Sequence, residues 1–295
     1  MSERPITVLK FGSSILRDEG DLPAVVGEVG ALAAAGHRVV AVVSAMGGST
    51  DDLLGKAGRI CSNPDSSALS SLLATGEATS AALLAMALNR GGIPAAVLDP
   101  GRVGPVTRGP LLDAEPVSFN REITLSTLSN RPVAVMPGFV GRDRGGEFSL
   151  LGRGGSDLTA LVVAHFLGAE RCRLVKDVDG IYESDPSVGA RNGCRRGHSD
   201  EGPAVAGGAQ RRDPARPRRY ELLSWDGALR LGAKVTQPKA LEYARTHRLS
   251  FEVGAMGGVT DEAIGTAAAR RTLVGPGPTL LEDLVPESYN DVPGR

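Results

Sequence analysis

At 295 residues, with 33 Lys and Arg against 34 Asp and Glu, the chain can bury a sizeable core and carries almost no net charge. That balance gives no argument for nucleic acid or an anionic membrane surface as a partner. Cys61, Cys172 and Cys194 lie far apart with no CxxC pair, which suits neither a zinc site nor a disulfide framework and fits a reducing cytoplasm. No signal-peptide pattern opens the chain, and no apolar run nears the roughly 20 residues that span a bilayer, so a cytoplasmic protein is expected.

In chain order, ITVLKF reads as a strand apolar on both faces. LPAVVGEVGALAAAG follows as a helix with Pro near its first turn and Gly36 at its end. HRVVAVVSA is the second strand, and SAMGGSTDDLL turns into a helix that Asp51 helps open. SSALSSLLATGEATSAALLAMALNRGG repeats apolar residues at helical spacing and stops at Gly91 and Gly92. IPAAVLD and RPVAVMPGF are strands on either side of a helix expected over 115–129. Residues 149–186, SLLGRGGSDLTALVVAHFLGAERCRLVKDVDGIYESDP, hold a glycine-rich turn, a helix expected to open with Ser156 as its N-cap, the buried strand CRLV and an acidic turn. Residues 187–219 are rich in Gly, Ala, Pro and Arg and read as a mobile insertion ending in RRDPARPRR. Helices over 221–231 and 237–246, the strand LSFEVGA and a loosely ordered tail over 275–295 complete the chain. Alternating helices and two-sided apolar strands predict an α/β fold, a three-layer α/β/α sandwich with a mainly parallel central sheet.

The polar residues gather at strand ends, where open α/β sheets bind ligands. Lys10 leaves the first strand beside Gly12, Ser13 and Ser14, placed to meet a phosphate as a point charge or to snorkel at a strand edge. Ser44, Gly47, Gly48, Ser49 and Thr50 bring hydroxyls and backbone N–H groups to the second turn, although ordinary turns use the same residues. Arg153, Gly154, Gly155 and Ser156 stand before a helix N-terminus, which favours an anion. Neither GxxxxGK[ST] nor an early GxGxxG is present, nor GxSxG, nor HExxH. A set of Lys, Gly, Ser/Thr, Arg and Asp suits phosphoryl transfer, which is catalysed by positioning and charge neutralisation.

The blocks KFGSS, VVSAMGGSTDDLL, LATGEATS, MPGFVG, LGRGGSD, KDVDGIYESDP and LGAKVTQPKALEYA, in this order, resemble those of the aspartate kinases within the amino acid kinase superfamily. The resemblance runs from about Ile6 to Val253, apart from the arginine-rich insertion. It implies ATP- and Mg²⁺-dependent phosphorylation of the side-chain carboxylate of L-aspartate, in biosynthesis leading to lysine, threonine and methionine. An amino-acid lobe is implied over 1–160 and a nucleotide lobe over 161–274. Lys10, Asp157 and Lys234 take the catalytic positions. Ser44, Thr50, Glu77, Phe139, Arg153 and Ser156 take those of the amino-acid pocket, with Glu77 facing its ammonium and Arg153 its α-carboxylate. Gly12, Ser13, Lys176, Asp177, Tyr182 and Asp185 join Lys10 and Lys234 on the nucleotide side. No protein ligand to a metal is implied, because Mg²⁺ travels with the ATP phosphates.

The chain departs from the family at three positions. Ser13 replaces a glycine of KFGGTS, Lys176 replaces the Thr of TDVDG, and Ser187 stands where DPR has an arginine. The ACT domains that usually follow do not appear in this sequence, so an unregulated stand-alone enzyme is expected, with a homo-oligomer left open. Two alternatives accompany this reading: a paralogous kinase for another acidic small molecule, and a weakened non-catalytic partner subunit.

Overall fold

The computed structural model describes residues 4–184, 217–232, 235–257 and 270–284. Asp185, Ser187, Lys234, Cys194, the insertion up to residue 216 and the tail beyond residue 284 lie outside these residues.

A nine-stranded sheet runs through the molecule. Its strands are β1 (Ile6–Phe11), β2 (Arg38–Val43), β3 (Ala95–Val97), β6 (Val133–Pro137), β9 (Arg171–Val175), β10 (Tyr220–Ser224), β11 (Phe251–Gly254), β12 (Thr272–Gly275) and β13 (Leu280–Leu281), in the order β13-β10-β12-β11-β9-β1-β2-β6-β3. Pairing is parallel from β11 through β3, and antiparallel between β11 and β12 and between β10 and β13. The central strands are Val-rich runs without alternation because helices cover both faces; Val39 to Val43 are all fully buried. On one face, α1 (Leu22–Ala34) and α3 (Ser66–Arg90) set Val25, Val29, Leu32, Leu84 and Leu88 against Leu9, Phe11 and Val43. On the other, α4 (Arg121–Asn130), α5 (Gly155–Leu167), α6 (Trp225–Leu231) and α7 (Pro238–Thr246) bring Leu128, Leu158, Leu161, Ala228 and Leu241 against Val8, Val40 and Leu174. The fold is the expected three-layer α/β/α sandwich. A small second sheet of β5 (Glu115–Ser118), β4 (Val106–Arg108), β7 (Val140–Arg142) and β8 (Phe148–Leu150) packs on α3 through Leu73, Ala74, Val140 and Leu150. The helix α2 (Ser49–Ile60) follows β2.

Several expectations need correction. Of the helix read over 115–129, the first residues form β5, paired with β4, and Asn120 caps a shorter α4 by accepting from the Ile123 N–H at 3.2 Å. The helix read over 221–231 begins only at Trp225. Leu222 and Leu223 pair with β12 instead, and the Ser224 hydroxyl caps α6 by accepting from the Gly227 N–H. The tail stays ordered through Leu284, since β13 pairs with β10 and buries Leu281. Arg218 and Arg219, the last of RRDPARPRR, are tied down: Arg218 to Glu183 at 2.8 Å, and Arg219 to Glu221 at 2.8 Å and Glu282 at 3.4 Å. The 25-residue α3 is long and apolar enough to cross a membrane, contrary to the reading of its sequence. It lies against the sheet with Leu73, Ala81, Leu84 and Leu88 in the core, and it carries a buried carboxylate, Glu77.

At the β9, β11 and β12 end of the sheet, Glu252 accepts from three arginines. Arg173 lies at 2.9 Å, Arg171 at 3.0 Å and Arg271 at 3.4 Å, and Arg173 is fully buried. Removing the shared carboxylate strands a buried guanidinium. We therefore expect Glu252→Ala to lose roughly 3–5 kcal/mol of folding stability in urea titrations; a loss below about 1 kcal/mol, typical of an exposed pair, would contradict this account.

Candidate active site

The site forms at the carboxyl ends of β1, β2 and β9, where α5 begins. Lys10, near the end of β1, is buried, and its ammonium lies over Gly12. A Cβ on Gly12 would stand 2.7 Å from Lys10 Nζ, so a side chain there would displace the ammonium from its present position. The turn beyond closes through Ile15 and Leu16 N–H groups, which both donate to the Gly12 carbonyl at 2.9 Å. At the end of β2, Ser44 donates its backbone N–H to the Phe11 carbonyl, and its hydroxyl to Ser156 Oγ at 2.9 Å.

The helix α5 starts two residues earlier than its sequence suggests. Gly154, at φ +74°, is the N-cap, and Ser156 sits inside the first turn. A side chain at 154 would strike Gln237, so tertiary packing, not a capping hydroxyl, fixes the helix start. Asp157, also in that first turn, is buried and held from several sides. Its Oδ1 lies 2.8 Å from Lys10 Nζ. Its Oδ2 accepts from Lys176 Nζ at 2.9 Å and from Thr236 Oγ1 at 2.6 Å. Burial alone would raise the Asp157 carboxyl, but the two lysine charges and these hydrogen bonds outweigh it and hold it well below the usual carboxylate range. For Lys10 burial is the largest influence and lowers its pKa, while Asp157 opposes the shift and favours the charged form.

Two cavities meet at this carboxylate. The first, of about 300 Å³, is lined by Lys10, Ser13, Ser44, Thr50, Glu77, Phe139, Arg153, Ser156 and Asp157. The second, of about 310 Å³, is lined by Lys176, Asp177, Val178, Gly180, Thr236 and Gln237; Gly154 and Asp157 border both. The structure thus brings all the residues assigned to the amino-acid pocket onto one cavity wall. Of those assigned to the nucleotide side, Lys176 and Asp177 line the second cavity, Lys10 and Ser13 line the first, and Gly12 sits beneath Lys10. Tyr182 lines neither; its hydroxyl donates to Asp179, and its backbone bridges to Arg219. Lys234 and Asp185 lie outside the described residues. Thr236 and Gln237 were missed by sequence reading, although they stand inside the block LGAKVTQPKALEYA, just beyond the lysine chosen there.

Phe139 has φ +66°, a left-handed conformation rare for an aromatic residue, and its N–H donates to Thr159 Oγ1 at 3.0 Å. This places its ring against Gly155 at the start of α5. Arg153 is exposed on the rim, with no partner among the described residues. Glu77 is buried beneath the end of β2, with no hydrogen-bond partner for Oε2. Burial pushes its carboxyl up to about 7, while the Ala45 and Glu77 backbone N–H groups draw it the other way.

A carboxyl whose folded pKa is raised binds its proton more tightly in the folded state. Its stabilising contribution is therefore full below the unfolded value and disappears as pH rises through about 7. We expect wild-type stability, measured against Glu77→Gln, to fall between pH 5 and pH 8 by up to about 3 kcal/mol. Parallel pH profiles for the two proteins would show that Glu77 ionises freely in the fold.

Residues 5–193 match the amino acid kinase family. An aspartokinase of Thermus thermophilus is 32% identical over 251 residues, covering 84% of this chain and 56% of its own length. An aspartokinase of Bacillus sp. (strain MGA3) is 34% identical over 221 residues, covering 74% of this chain and 48% of its own length. This chain therefore spans about half the length of these relatives. Among solved structures, aspartate kinase from Synechocystis superposes with a TM-score of 0.68 at 28% identity, over 92% of this chain and 40% of that one. The UMP kinase of Bacillus anthracis, at 17% identity and a TM-score of 0.62 over 94% of this chain and 99% of its own, shares the fold. The chain belongs to the amino acid kinase family, with aspartokinases among its relatives.

Proposed function

We propose that this chain is an ATP-dependent kinase that phosphorylates the side-chain carboxylate of L-aspartate, giving 4-phospho-L-aspartate and ADP. The observation that carries this reading is the meeting of two cavities at Asp157, with Lys10 facing one and Lys176 the other. The relatives are aspartokinases, and one structural neighbour at 21% identity is described as aspartokinase III in complex with aspartate and ADP.

In the first cavity, Glu77 takes the α-ammonium and Arg153 the α-carboxylate, where the guanidinium can hold both oxygens in parallel. The side-chain carboxylate then points toward Lys10. It is ionised near neutral pH and needs no general base. One of its oxygens attacks the γ-phosphorus, the bond to the β-phosphate oxygen breaks, and ADP leaves with that electron pair. Lys10 neutralises charge on the transferring group, and Asp157, 2.8 Å away, favours its charged form against the burial that lowers its pKa.

We assign ATP to the second cavity, where Lys176, Thr236 and the Gly154 turn surround an open space. Among the described residues no three His, Cys, Asp or Glu side chains gather, and Asp157 is committed to Lys10, Lys176 and Thr236. That donor set fits Mg²⁺ carried by the nucleotide's phosphates and water, where it would draw charge from the leaving group. Ser13 lines the acceptor cavity at a position where the resemblance has glycine, which favours a close acidic analogue of aspartate as the second reading.

Incubation with MgATP, aspartate and hydroxylamine traps an acyl phosphate as its hydroxamate, which mass spectrometry identifies. We expect aspartate β-hydroxamate in step with ADP, and a fall in kcat by a factor of about 10² to 10³ in Lys10→Met. Hydroxamate from another acid in a panel, with none from aspartate, would replace the substrate. ADP release without any hydroxamate would end the carboxylate reading.

A further inference from the structure

Lys176 stands one residue beyond β9, where its backbone N–H donates to the Gly254 carbonyl at 2.9 Å. In the β1–β9 pair, Lys10 lies opposite Leu174. Side chains alternate along a strand, so Leu174 and the residue two places on share the face of Lys10. That face is covered by α5, whose first turn carries Asp157. Two adjacent parallel strands therefore deliver one lysine each to the same carboxylate, one to each oxygen.

The two lysines are not equivalent. The Lys10 side chain is 8% exposed and lines the first cavity; that of Lys176 is 23% exposed and lines the second. An ammonium has three N–H donors. For Lys176, Asp157 is the one acceptor among the described residues, so the ammonium has donor capacity left on the side of the second cavity.

We propose that Lys176 is a second phosphate-holding lysine. It grips the nucleotide's phosphate chain from the side opposite Lys10, with Asp157 as the counter-ion shared by both. This inference rests on the reading that the second cavity takes the nucleotide, and it adds a residue-level role at the position where the resemblance has threonine. A threonine there would carry no charge and is too short to join this arrangement. With Lys176, the protein supplies a cation on both sides of the transfer path.

The test compares ADP, measured by isothermal titration, with adenosine, measured by ligand-observed NMR, on wild type, Lys176→Met and Lys176→Arg. Neither ligand is a phosphoryl acceptor, so the result does not depend on which carboxylate is phosphorylated. We expect Lys176→Met to lose ADP affinity by about 10-fold or more while adenosine affinity stays within about 2-fold, as for loss of one charge-assisted contact to phosphate. Lys176→Arg, which keeps the charge, should retain most of the ADP affinity. Unchanged ADP affinity in Lys176→Met would overturn the proposal. So would an equal loss for ADP and adenosine, which would make Lys176 a structural residue. A wild-type protein that binds neither ligand would overturn the nucleotide reading and this proposal with it.

Discussion

Asp157 is one buried carboxylate between two lysines, and most of the surrounding structure serves to make that arrangement tolerable. Taking charges out of water costs several kcal/mol per ion, and attraction offsets this only with close geometry and satisfied oxygens. Here each carboxylate oxygen has a lysine within 3 Å, and Thr236 adds a further donor. The first turn of α5 contributes partial positive charge from its backbone N–H groups. Meeting these conditions requires β1, β9, α5 and the segment before α7 to converge on one point. The sheet order that makes β1 and β9 neighbours is what allows it.

The same point divides the space above the sheet. Because Asp157 and Gly154 border both cavities, a group transferred from one to the other must pass the two lysines. The first cavity is built mainly from the first half of the chain, through β2, α2 and α3. The other side draws on residues 176–181 and 235–237. Each cavity therefore holds its own binding groups, while charge neutralisation is concentrated at the boundary, as positioning-based phosphoryl transfer requires.

Much of this was legible in the sequence. Unbroken Val-rich runs between helical patterns predicted a covered parallel sheet, and the end of each central strand carried polar residues that the fold brings together. Lys10, Ser44, Glu77, Arg153 and Asp157 come from five separate elements and turns, yet all line one cavity. The misreadings have local causes. Residues 115–118 look helical by composition but find strand partners in β4, and Leu222 and Leu223 are claimed by β12. Strands as short as β4, β7 and β8 carry too few residues to show a period. Ser156 looked like a cap because its hydroxyl precedes an apolar run, whereas the cap is set by Gln237 packing on Gly154. Thr236 could not be singled out, since its role depends on a carboxylate far away in sequence.

The dependence of the site on Asp157 is tested most directly by following the Lys10 side-chain ¹⁵Nζ resonance through a pH titration of wild type and Asp157→Asn. Burial disfavours the charged form of Lys10, and Asp157 is the group that opposes it. Replacing the carboxylate by a neutral amide is expected to move the titration of Lys10 to markedly lower pH, so that the charge between the two cavities is lost while the fold persists. An unchanged titration in Asp157→Asn would contradict it, because Lys10 would then be kept charged by something other than the carboxylate between the two cavities.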